Sequence, residues 1–297
     1  MTNLGTFTVN RIGFGAMQLA GPGVFGPPRD PAAARAVLRR AVELGVDHID
    51  TSQYYGPDVV NDLIREALHP YPEGLRLATK VGGRRDDKGA WLPALRPDEL
   101  RAGVEDNLRS LRVERLDLVN LRLLEGEDTP DVTLAEQLGA LADLRAEGKL
   151  DLIGISSVTR ATAEEALDLV DIACVQNSYS ILERDGEDLL ELCAERDLAF
   201  VPFFPLGSAF TGGPAKLAAD PAVARVATRH DATPSQVALA WLLQRDEHIL
   251  LIPGTSSIAH LEENLAAAAI ALDADDLEVL DDVQPAGNPL GAVTHDD

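Results

Sequence analysis

Short apolar runs alternate with longer amphipathic segments along almost the whole chain. The apolar runs lack a clean period of two, which indicates strands that are buried on both faces, as in a parallel sheet. The amphipathic segments have the spacing of helices that cover one face of such a sheet. Eight runs are candidate strands, and they cover residues 12–15, 46–50, 75–80, 116–120, 150–155, 172–176, 199–203 and 249–252.

The order of these elements favours one architecture. A helical pattern follows each candidate strand from the second to the last, and another at residues 31–44 precedes the second. Because no glycine-rich phosphate turn follows any strand, the eight units predict an α/β fold that closes as a (β/α)8 TIM barrel. A doubly wound open sheet is the alternative. The alternation at residues 6–9 predicts a short N-terminal β-hairpin, and the absence of linkers predicts a single domain over residues 1–297.

Three helix starts carry local capping signals. Asp30 precedes Pro31, which places an N-cap acid before a first-turn proline. Thr233 has a glutamine three residues later, and Asp273 has Asp276 at the same spacing. These spacings predict capping boxes at two helices of the second half of the chain.

The net charge of −23 and the sequence pI of about 4.5 restrict the partners. Such a field repels nucleic acids and anionic membranes, so we expect neither as a partner. A bound phosphate would need local donors. The chain has no 18-residue apolar run and no basic, apolar start, and its cysteines, Cys174 and Cys193, have no metal-binding spacing. We therefore expect a cytoplasmic protein with reduced core cysteines and no metal; its oligomeric state stays open.

Polar side chains stand where the candidate strands end, after apolar residues. Asp50 and Lys80 end the second and third strands, and Tyr55 follows Asp50 closely. The carboxyl ends of barrel strands form the usual active-site face. An ammonium beside a phenol lowers the pKa of the phenol, and a carboxylate keeps the ammonium in place. The trio therefore suggests a proton donor for a carbonyl oxygen; the alternative is a structural Asp50–Lys80 pair with Tyr55 as packing.

Motifs in a fixed order extend from about residue 10 to about residue 285. They resemble the aldo-keto reductase family and, within it, the branch of bacterial pyridoxal reductases. The branch is matched by residues 10–30, 201–207 and 251–257. The family motifs are Asp50-Thr51-Ser52 with Tyr55-Gly56, Leu77-Ala78-Thr79-Lys80, Leu116-Asp117-Leu118-Val119, Ile153-Gly154-Ile155-Ser156, and Ile252-Pro253-Gly254-Thr255 with Glu263-Asn264.

The resemblance implies catalytic roles for four residues. Tyr55 would be the proton donor, Lys80 its charged partner and Asp50 the anchor of Lys80. Arg122 stands where most relatives have histidine, five residues after Asp117. Arginine is no acid at neutral pH, but it can bind a carbonyl oxygen and stabilise a developing alkoxide. The alternative is that Arg122 turns away and pairs with an acid such as Glu125.

The resemblance also implies a nicotinamide cofactor, NADPH, with NADH not excluded. Ser156 and Gln176 match positions that hold the carboxamide, and Phe203 matches the ring that stacks on the nicotinamide. The other matched positions are Leu206 at the pyrophosphate, Gly254, Thr255, Ser256 and His260 around the 2′-phosphate, and Glu263 and Asn264 at the adenine.

Two of these regions depart from the family pattern. Ser157 replaces the asparagine that is usual after Ser156. Gly254 and His260 stand where many relatives have lysine and arginine for the 2′-phosphate. A helix N-terminus can still bind a phosphate through its free amides. The preference for NADPH over NADH is therefore an expectation from the branch resemblance.

Three functions are compatible with these residues. The first is reduction of pyridoxal, a small-molecule carbonyl substrate, to pyridoxine with NADPH. The second is a broad aldehyde or ketone reductase with the same residues. The third is a nicotinamide-binding sensor or interaction subunit on the same fold, which the missing histidine suggests and the intact trio opposes. The loops at residues 18–29, 82–97 and 208–216 are expected to decide the substrate.

The surrounding sequence predicts where two tryptophans and two arginines outside these motifs lie. Trp241 lies on an apolar helical face and is expected in the core. Trp91 lies in the polar loop at residues 82–97, where it either covers a substrate or packs the loop. Arg84 and Arg85 are expected at a solvated edge of that loop.

Overall fold

The computed structural model of the chain describes residues 1–124, 126, 129–208 and 212–285. The strands are β1 (Thr2–Leu4), β2 (Phe7–Val9), β3 (Phe14–Gly15), β4 (His48–Asp50), β5 (Arg76–Val81), β6 (Gly83–Arg85), β7 (Trp91–Pro93), β8 (Leu116–Arg122), β9 (Leu150–Ser156), β10 (Ile172–Gln176) and β11 (Ala199–Phe200). The helices are α1 (Pro31–Glu43), α2 (Val59–Leu68), α3 (Pro97–Leu111), α4 (Leu134–Ala146), α5 (Arg160–Leu169), α6 (Glu187–Arg196), α7 (Gly213–Ala219), α8 (Pro221–Arg229), α9 (Pro234–Arg245), α10 (Ile258–Ala266) and α11 (Ala274–Asp281).

A seven-stranded parallel sheet forms the centre, in the order β11-β10-β9-β8-β5-β4-β3. Residues 249–251 close it. Ile249 bridges Phe200 and Leu251 bridges Ile12, both in parallel, so the last candidate strand lies between the two edges. The prediction of a (β/α)8 barrel is confirmed. The eighth strand is represented by isolated bridges rather than by a continuous ladder.

The N-terminal hairpin covers the amino-terminal end of the barrel. β1 and β2 pair antiparallel with Thr2 opposite Val9, as predicted. Leu4 and Val9 belong to an apolar cluster inside the barrel that also contains Leu118, Val201 and Leu250. Burial of these side chains closes one end to water, so the opposite end is the place for a site.

Helices pack around the barrel, and their starts follow the sequence signals. Asp30 accepts a hydrogen bond from the amide of Ala33, and Thr233 and Asp273 each form a capping box, as predicted. Trp241 is fully buried on α9, and Cys174 and Cys193 are free and buried, which confirms those three expectations. Within the described ranges, none of the helices is long and apolar enough to cross a membrane.

The segment at residues 82–97, expected to be a loop, contains an antiparallel pair of short strands, β6 and β7. Its turn is stabilised by the Asp86 carboxylate, which accepts hydrogen bonds from the amides of Lys88 and Ala90. The expectation of two solvated arginines is wrong for one of them: Arg84 is exposed, but Arg85 stacks on Trp91 with its guanidinium carbon 4.0 Å from the ring centroid. The cross-strand register Arg85↔Trp91 brings these side chains together.

Candidate active site

The candidate catalytic residues meet at the carboxyl end of the barrel. On β8, Leu118 and Asn120 face the interior beside a small cavity, so Arg122, two residues further, faces the mouth. Lys80 pairs in register with Asn120, and Arg122 with Ser156. Because all strands of the sheet run in parallel, their last inward-facing side chains converge on one small area.

A buried ion pair lies at the centre of this area. The ammonium of Lys80 donates to Oδ1 of Asp50 and, at 3.1 Å, to the carbonyl oxygen of Thr51. Gln176 donates from Nε2 to Oδ2 of Asp50 at 2.9 Å. Lys80 and Asp50 are 2% and 4% exposed, so water screens neither charge. Both carboxylate oxygens are thus occupied, which fixes the position of the ammonium.

Tyr55 lies beside this pair, in the connection between β4 and α2. The Nζ of Lys80 is 5.2 Å from the centroid of the Tyr55 ring. The ring of Tyr54 packs edge-on against Tyr55 at 5.5 Å between centroids. Gly56 exchanges backbone hydrogen bonds with Val24 and Gly26, and its φ of +93° requires glycine. The loop at residues 24–26 therefore holds the backbone that carries Tyr55.

Burial raises the pKa of Tyr55 above its ordinary value of 10.0, and the carboxylate of Asp50 raises it further. The guanidinium of Arg122 acts in the opposite direction. Burial likewise raises the pKa of Tyr54 to about 12. From the sequence, Lys80 is expected to lower the pKa of the phenol. In the structure Lys80 is paired with Asp50, whose carboxylate raises the pKa of Tyr55, and the guanidinium of Arg122 lowers it.

Arg122 and Phe203 are in contact across the mouth, with the guanidinium carbon 4.9 Å from the ring centroid. This is a cation–π arrangement, which keeps the positive charge above a flat apolar surface. The acid that the alternative interpretation named, Glu125, lies outside the described residues. The contact with Phe203 shows that Arg122 is directed over the mouth.

Several buried polar atoms lack a hydrogen-bond partner among the described residues, and two of them lie at the ends of β9 and β10: Oγ of Ser156 and Oε1 of Gln176. An unpaired buried polar atom costs free energy, so such atoms indicate a ligand that completes them. One hydroxyl and one amide oxygen on neighbouring strands fit an amide ligand such as a carboxamide. These residues therefore fit the nicotinamide group that the resemblance implies.

Ser157 follows Ser156, and Phe204 follows Phe203. Both Ser157 and Phe204 have a left-handed backbone, with φ of 59° and 56°. This conformation turns the chain sharply as the strand ends and leaves Ser156 and Phe203 at the mouth. Asparagine tolerates it better than serine, which gives a physical reason for the asparagine that is usual at position 157 in the family. Ser157 keeps the same turn through a hydrogen bond from its amide to the carbonyl of Gln176 at 3.1 Å.

The residues expected to bind the adenosine part lie before and along α10. Ser257 caps the helix, and Oγ1 of Thr255 accepts from the amide of Ser257 at 3.1 Å. Ser256 and His260 are exposed, Glu263 is half-buried and Asn264 is buried. Leu206 is half-buried after Phe203 on the neighbouring connection. Positions 254–257 thus lead into the N-terminus of α10, where free amides can bind a phosphate.

Gly254 has a steric explanation. A Cβ at this position would come 2.6 Å from the carbonyl oxygen of Gly15, on the adjacent strand β3. Real Cβ atoms do not approach a backbone oxygen so closely, so the family's lysine cannot stand here without a shift of β3. The absence of a lysine at position 254 follows from this close approach.

Sequence reasoning missed a buried polar network behind the site. Asn61 on α2 accepts from Oγ1 of Thr51 at 2.8 Å and donates to Asn107 and Ser110 on α3 at 3.0 and 2.9 Å. Asn107 also reaches the backbone oxygen of Lys80 at 3.5 Å. The network ties two helices to the strands that carry the ion pair. The available signal was a polar residue at a core position: Asn107 continues the helical series Leu100, Val104, Leu111.

Comparison with known proteins agrees with this geometry. The model of the aldo/keto reductase family matches residues 11–285. Pyridoxine 4-dehydrogenase of Escherichia coli strain K12 is 50% identical over 282 residues, which cover 94% of this chain and 96% of that protein. An aldo-keto reductase of Klebsiella pneumoniae in complex with NADPH is 26% identical, with a TM-score of 0.73 over 93% of this chain and 92% of that chain.

A further solved structure supports the fold alone. The glycerol dehydrogenase of Gluconobacter oxydans has a TM-score of 0.81 over 97% of both chains, at 20% sequence identity. The family match, the close relative and the converging Asp50, Tyr55 and Lys80 point to one conclusion. The chain belongs to the aldo/keto reductase family and is a nicotinamide-dependent carbonyl reductase.

Proposed function

We propose that this chain reduces pyridoxal to pyridoxine with NADPH, with Tyr55 as the proton donor. The observation that carries the chemistry is the buried Lys80–Asp50 pair beside the Tyr55 ring. The relative named pyridoxine 4-dehydrogenase, 50% identical over nearly the whole chain, supports the substrate. The aromatic side chain of Trp91, which packs edge-on against Tyr54 at 5.6 Å between centroids, suits a planar substrate ring.

When bound, NADPH supplies the hydride that the carbonyl carbon accepts. Ser156 and Gln176 would hold its carboxamide through their unpaired oxygens, and Phe203 would offer a π face to the nicotinamide. Backbone at Leu206 would meet the pyrophosphate. Toward the adenosine end, the proposed contacts are Gly254, Thr255, Ser256 and His260 at the 2′-phosphate and Glu263 and Asn264 at the adenine.

The proton takes a separate route from the hydride. A carbonyl that gains a hydride at carbon becomes an alkoxide at oxygen, and the Tyr55 hydroxyl donates the proton that makes it an alcohol. The raised pKa keeps Tyr55 protonated at neutral pH, which is the form that can donate. The phenolate left behind lies beside the ammonium of Lys80, which Asp50 holds in place.

Arg122 can position the carbonyl and supply a positive charge in place of the usual histidine, but it cannot donate a proton as an acid at neutral pH. Its guanidinium is fully charged at any physiological pH and has five N–H donors. We assign it to the carbonyl oxygen, where it would stabilise the negative charge that develops in the transition state. The contact of Arg122 with Phe203 at the mouth supports this assignment, and its charge lowers the pKa of Tyr55 against the effect of burial.

Three finer points belong to the same proposal. NADPH is favoured over NADH because the N-terminus of α10 offers amides where the branch binds the 2′-phosphate. A cytoplasmic location is supported by two free, buried cysteines. A single catalytic domain is supported by a family match that extends over residues 11–285.

The test is NADPH oxidation, followed by its absorbance, with pyridoxal and with benzaldehyde. The kcat/KM for pyridoxal is expected to exceed the kcat/KM for benzaldehyde by far. Turnover of both at similar rates would favour a broad aldehyde reductase, and turnover of neither would favour a nicotinamide-binding sensor. The buried Asp50–Lys80 pair beside Tyr55 argues against the sensor, because binding alone needs no proton donor.

A further inference from the structure

Arg122 is half-buried at the mouth, and within the described ranges it forms no ion pair with a carboxylate. Most arginines of the chain that contact another polar group form an ion pair with Asp or Glu. Arg76, for example, pairs with Asp117. The side chain instead lies over Phe203, which supplies no negative charge. In a chain with a net charge of −23, this cation is held at the substrate entrance without a counter-ion in the described structure.

A partly buried cation without an anion favours a ligand that brings one. A neutral carbonyl oxygen uses one or two N–H groups and leaves the charge uncompensated. The guanidinium is a planar fork whose paired donors match two oxygens that stand side by side. A histidine at this position would have one N–H for the carbonyl oxygen and no such fork.

We propose that Arg122 makes the site selective for aromatic aldehydes that have an ionisable hydroxyl group ortho to the carbonyl, by binding both oxygens with its guanidinium. The inference rests on the proposed function only in placing an aromatic carbonyl at Tyr55. It extends that function from one substrate to a chemical class and assigns the selection to one residue. Pyridoxal belongs to the class, since its formyl group is adjacent to a ring hydroxyl.

The surroundings of Arg122 agree with this role. The guanidinium faces the same mouth as Tyr55 and Tyr54, and its charge lowers the pKa of both buried phenols against the effect of burial. Its field therefore reaches the place where an oxygen bound near Tyr55 would lie. Beside this contact with Phe203, the N–H groups of Arg122 donate no hydrogen bond to another described residue, so they can donate to a ligand.

The experiment compares kcat/KM for salicylaldehyde, 4-hydroxybenzaldehyde and benzaldehyde in the wild type, R122H and R122K. Intrinsic reactivity cancels when the ratio of two aldehydes is compared between enzymes. The ratio of salicylaldehyde to benzaldehyde should fall roughly tenfold or more in R122H, as expected for the loss of a charge-assisted hydrogen bond. The ratio of 4-hydroxybenzaldehyde to benzaldehyde should not change, because the para oxygen lies outside the fork.

R84K is the matched control, since Arg84 is exposed on the nearby strand β6. It should leave all ratios as in the wild type. An unchanged salicylaldehyde preference in R122H overturns the inference while leaving the proposed reductase intact. A full loss of the preference in R122H and a partial loss in R122K support the bidentate contact, because lysine keeps the charge but not the planar fork.

A second measurement does not depend on turnover. Salicylamide and benzamide have the same carbonyl position but are not reduced, and calorimetric titration of the NADP⁺-bound wild type gives their affinities. Salicylamide should bind at least about tenfold more tightly, and R122H should abolish the difference. Equal affinities in the wild type would overturn the inference. If no aldehyde is turned over, the proposed function fails and this titration alone decides the role of Arg122.

Discussion

Gln176 donates a hydrogen bond from Nε2 to Oδ2 of Asp50 at 2.9 Å, across the barrel from β10 to β4. The same amide leaves its Oε1 without a partner among the described residues. One side chain is therefore connected both to the anchor of Lys80 and to the proposed carboxamide site. Binding of the cofactor and positioning of the ammonium are linked through this single amide.

Replacement of Gln176 by alanine should affect both functions at once. The Kd for NADPH should rise by roughly tenfold through the loss of about one hydrogen bond, and kcat should fall because Asp50 loses a donor. Quenching of protein fluorescence by NADPH measures the Kd, and steady-state turnover measures kcat. Q284A, at an exposed position, is the control and should change neither. A Q176A enzyme with unchanged Kd would contradict the carboxamide assignment.

Replacement of Tyr55 by phenylalanine should remove the proton donor and leave the fold intact. Turnover should fall by roughly 100-fold to 10,000-fold, the usual contribution of a positioned acid. Y54F is a matched control, because Tyr54 is an adjacent, equally buried phenol that packs edge-on against Tyr55. Circular dichroism and the Kd for NADPH check folding and cofactor binding. Equal losses in Y54F and Y55F would mean that packing, not proton donation, explains the effect.

The four tyrosines of the chain should remain protonated in the native state well above pH 10. Burial raises the pKa of Tyr54, Tyr55, Tyr71 and Tyr179, and it is the largest cause at each. In the unfolded chain each phenol ionises near its ordinary value of 10.0. Their contribution to stability is therefore complete below pH 10 and is lost as the pH rises through the folded-state pKa values.

An alkaline titration checks this sign. The near-ultraviolet absorbance of phenolate and the far-ultraviolet circular dichroism should change together, because ionisation accompanies unfolding. A phenolate transition near pH 10 with an intact circular dichroism spectrum would show that the tyrosines are more accessible than the structure indicates.

Arg85 should stabilise the wall of the mouth. Its guanidinium donates to the backbone oxygens of Val24, Gly23 and Gly89 at 2.7–3.0 Å and stacks on Trp91. Because residues 24–26 pair with Gly56, loss of this link should loosen the backbone next to Tyr55. R85A should raise KM for the aldehyde more than it lowers kcat, and it should shift the fluorescence of Trp91, which is 41% exposed.

The neighbouring substitution R84A provides the comparison, since Arg84 is exposed and lies in the same short strand. It should change KM and fluorescence little. Comparable effects of R84A and R85A would mean that net charge near the mouth, rather than the hydrogen bonds of Arg85, is responsible. R85K, which retains the charge but not the planar fork, should resemble R85A.

Asn107 should contribute to stability through the network behind the ion pair. N107A would leave one N–H of the Asn61 amide and the hydroxyl of Thr79 without their buried acceptor, while Asn61 keeps its contact with Ser110. The free energy of unfolding should fall by about 1–3 kcal/mol, the usual cost of an unsatisfied buried polar group. Urea unfolding followed by circular dichroism measures it. R109A, on the exposed face of the same helix, should cost less than about 0.5 kcal/mol, and an equal loss in both variants would contradict the network's role.

The sequence predicted the barrel because its order of elements is recorded locally. Buried strands appear as short apolar runs, helices as periodic segments, and capping at Asp30, Thr233 and Asp273 requires only residues a few positions apart. The pattern of apolar runs did not predict the strands at residues 82–97, where polar residues pair as β6 and β7. Pairing there depends on a turn at Asp86 and on the Arg85–Trp91 contact, neither of which apolar periodicity reports.

The candidate site was predictable in its members but not in its electrostatics. Strand ends and family motifs identified Asp50, Tyr55, Lys80 and Arg122 because parallel strands bring their ends together. Which cation acts on the Tyr55 phenol depends on pairwise distances that no motif contains. Lys80 is compensated by Asp50, whereas Arg122 lies over Phe203 without an ion-pair partner in the described part of the chain.

The amino-acid sequence by itself determined the class of fold, the family and the residue types at the mouth, since these follow from local patterns and from order along the chain. Only the tertiary structure decided which groups are paired and which are free. Burial and distance govern the strength of charges and hydrogen bonds, and both arise from residues far apart in sequence. Three features could be seen only in the tertiary structure. The amide of Gln176 is connected to both Asp50 and the proposed carboxamide site, a side chain at Gly254 is excluded by a close backbone contact, and the guanidinium of Arg122 lies over Phe203 without an ion-pair partner in the described residues.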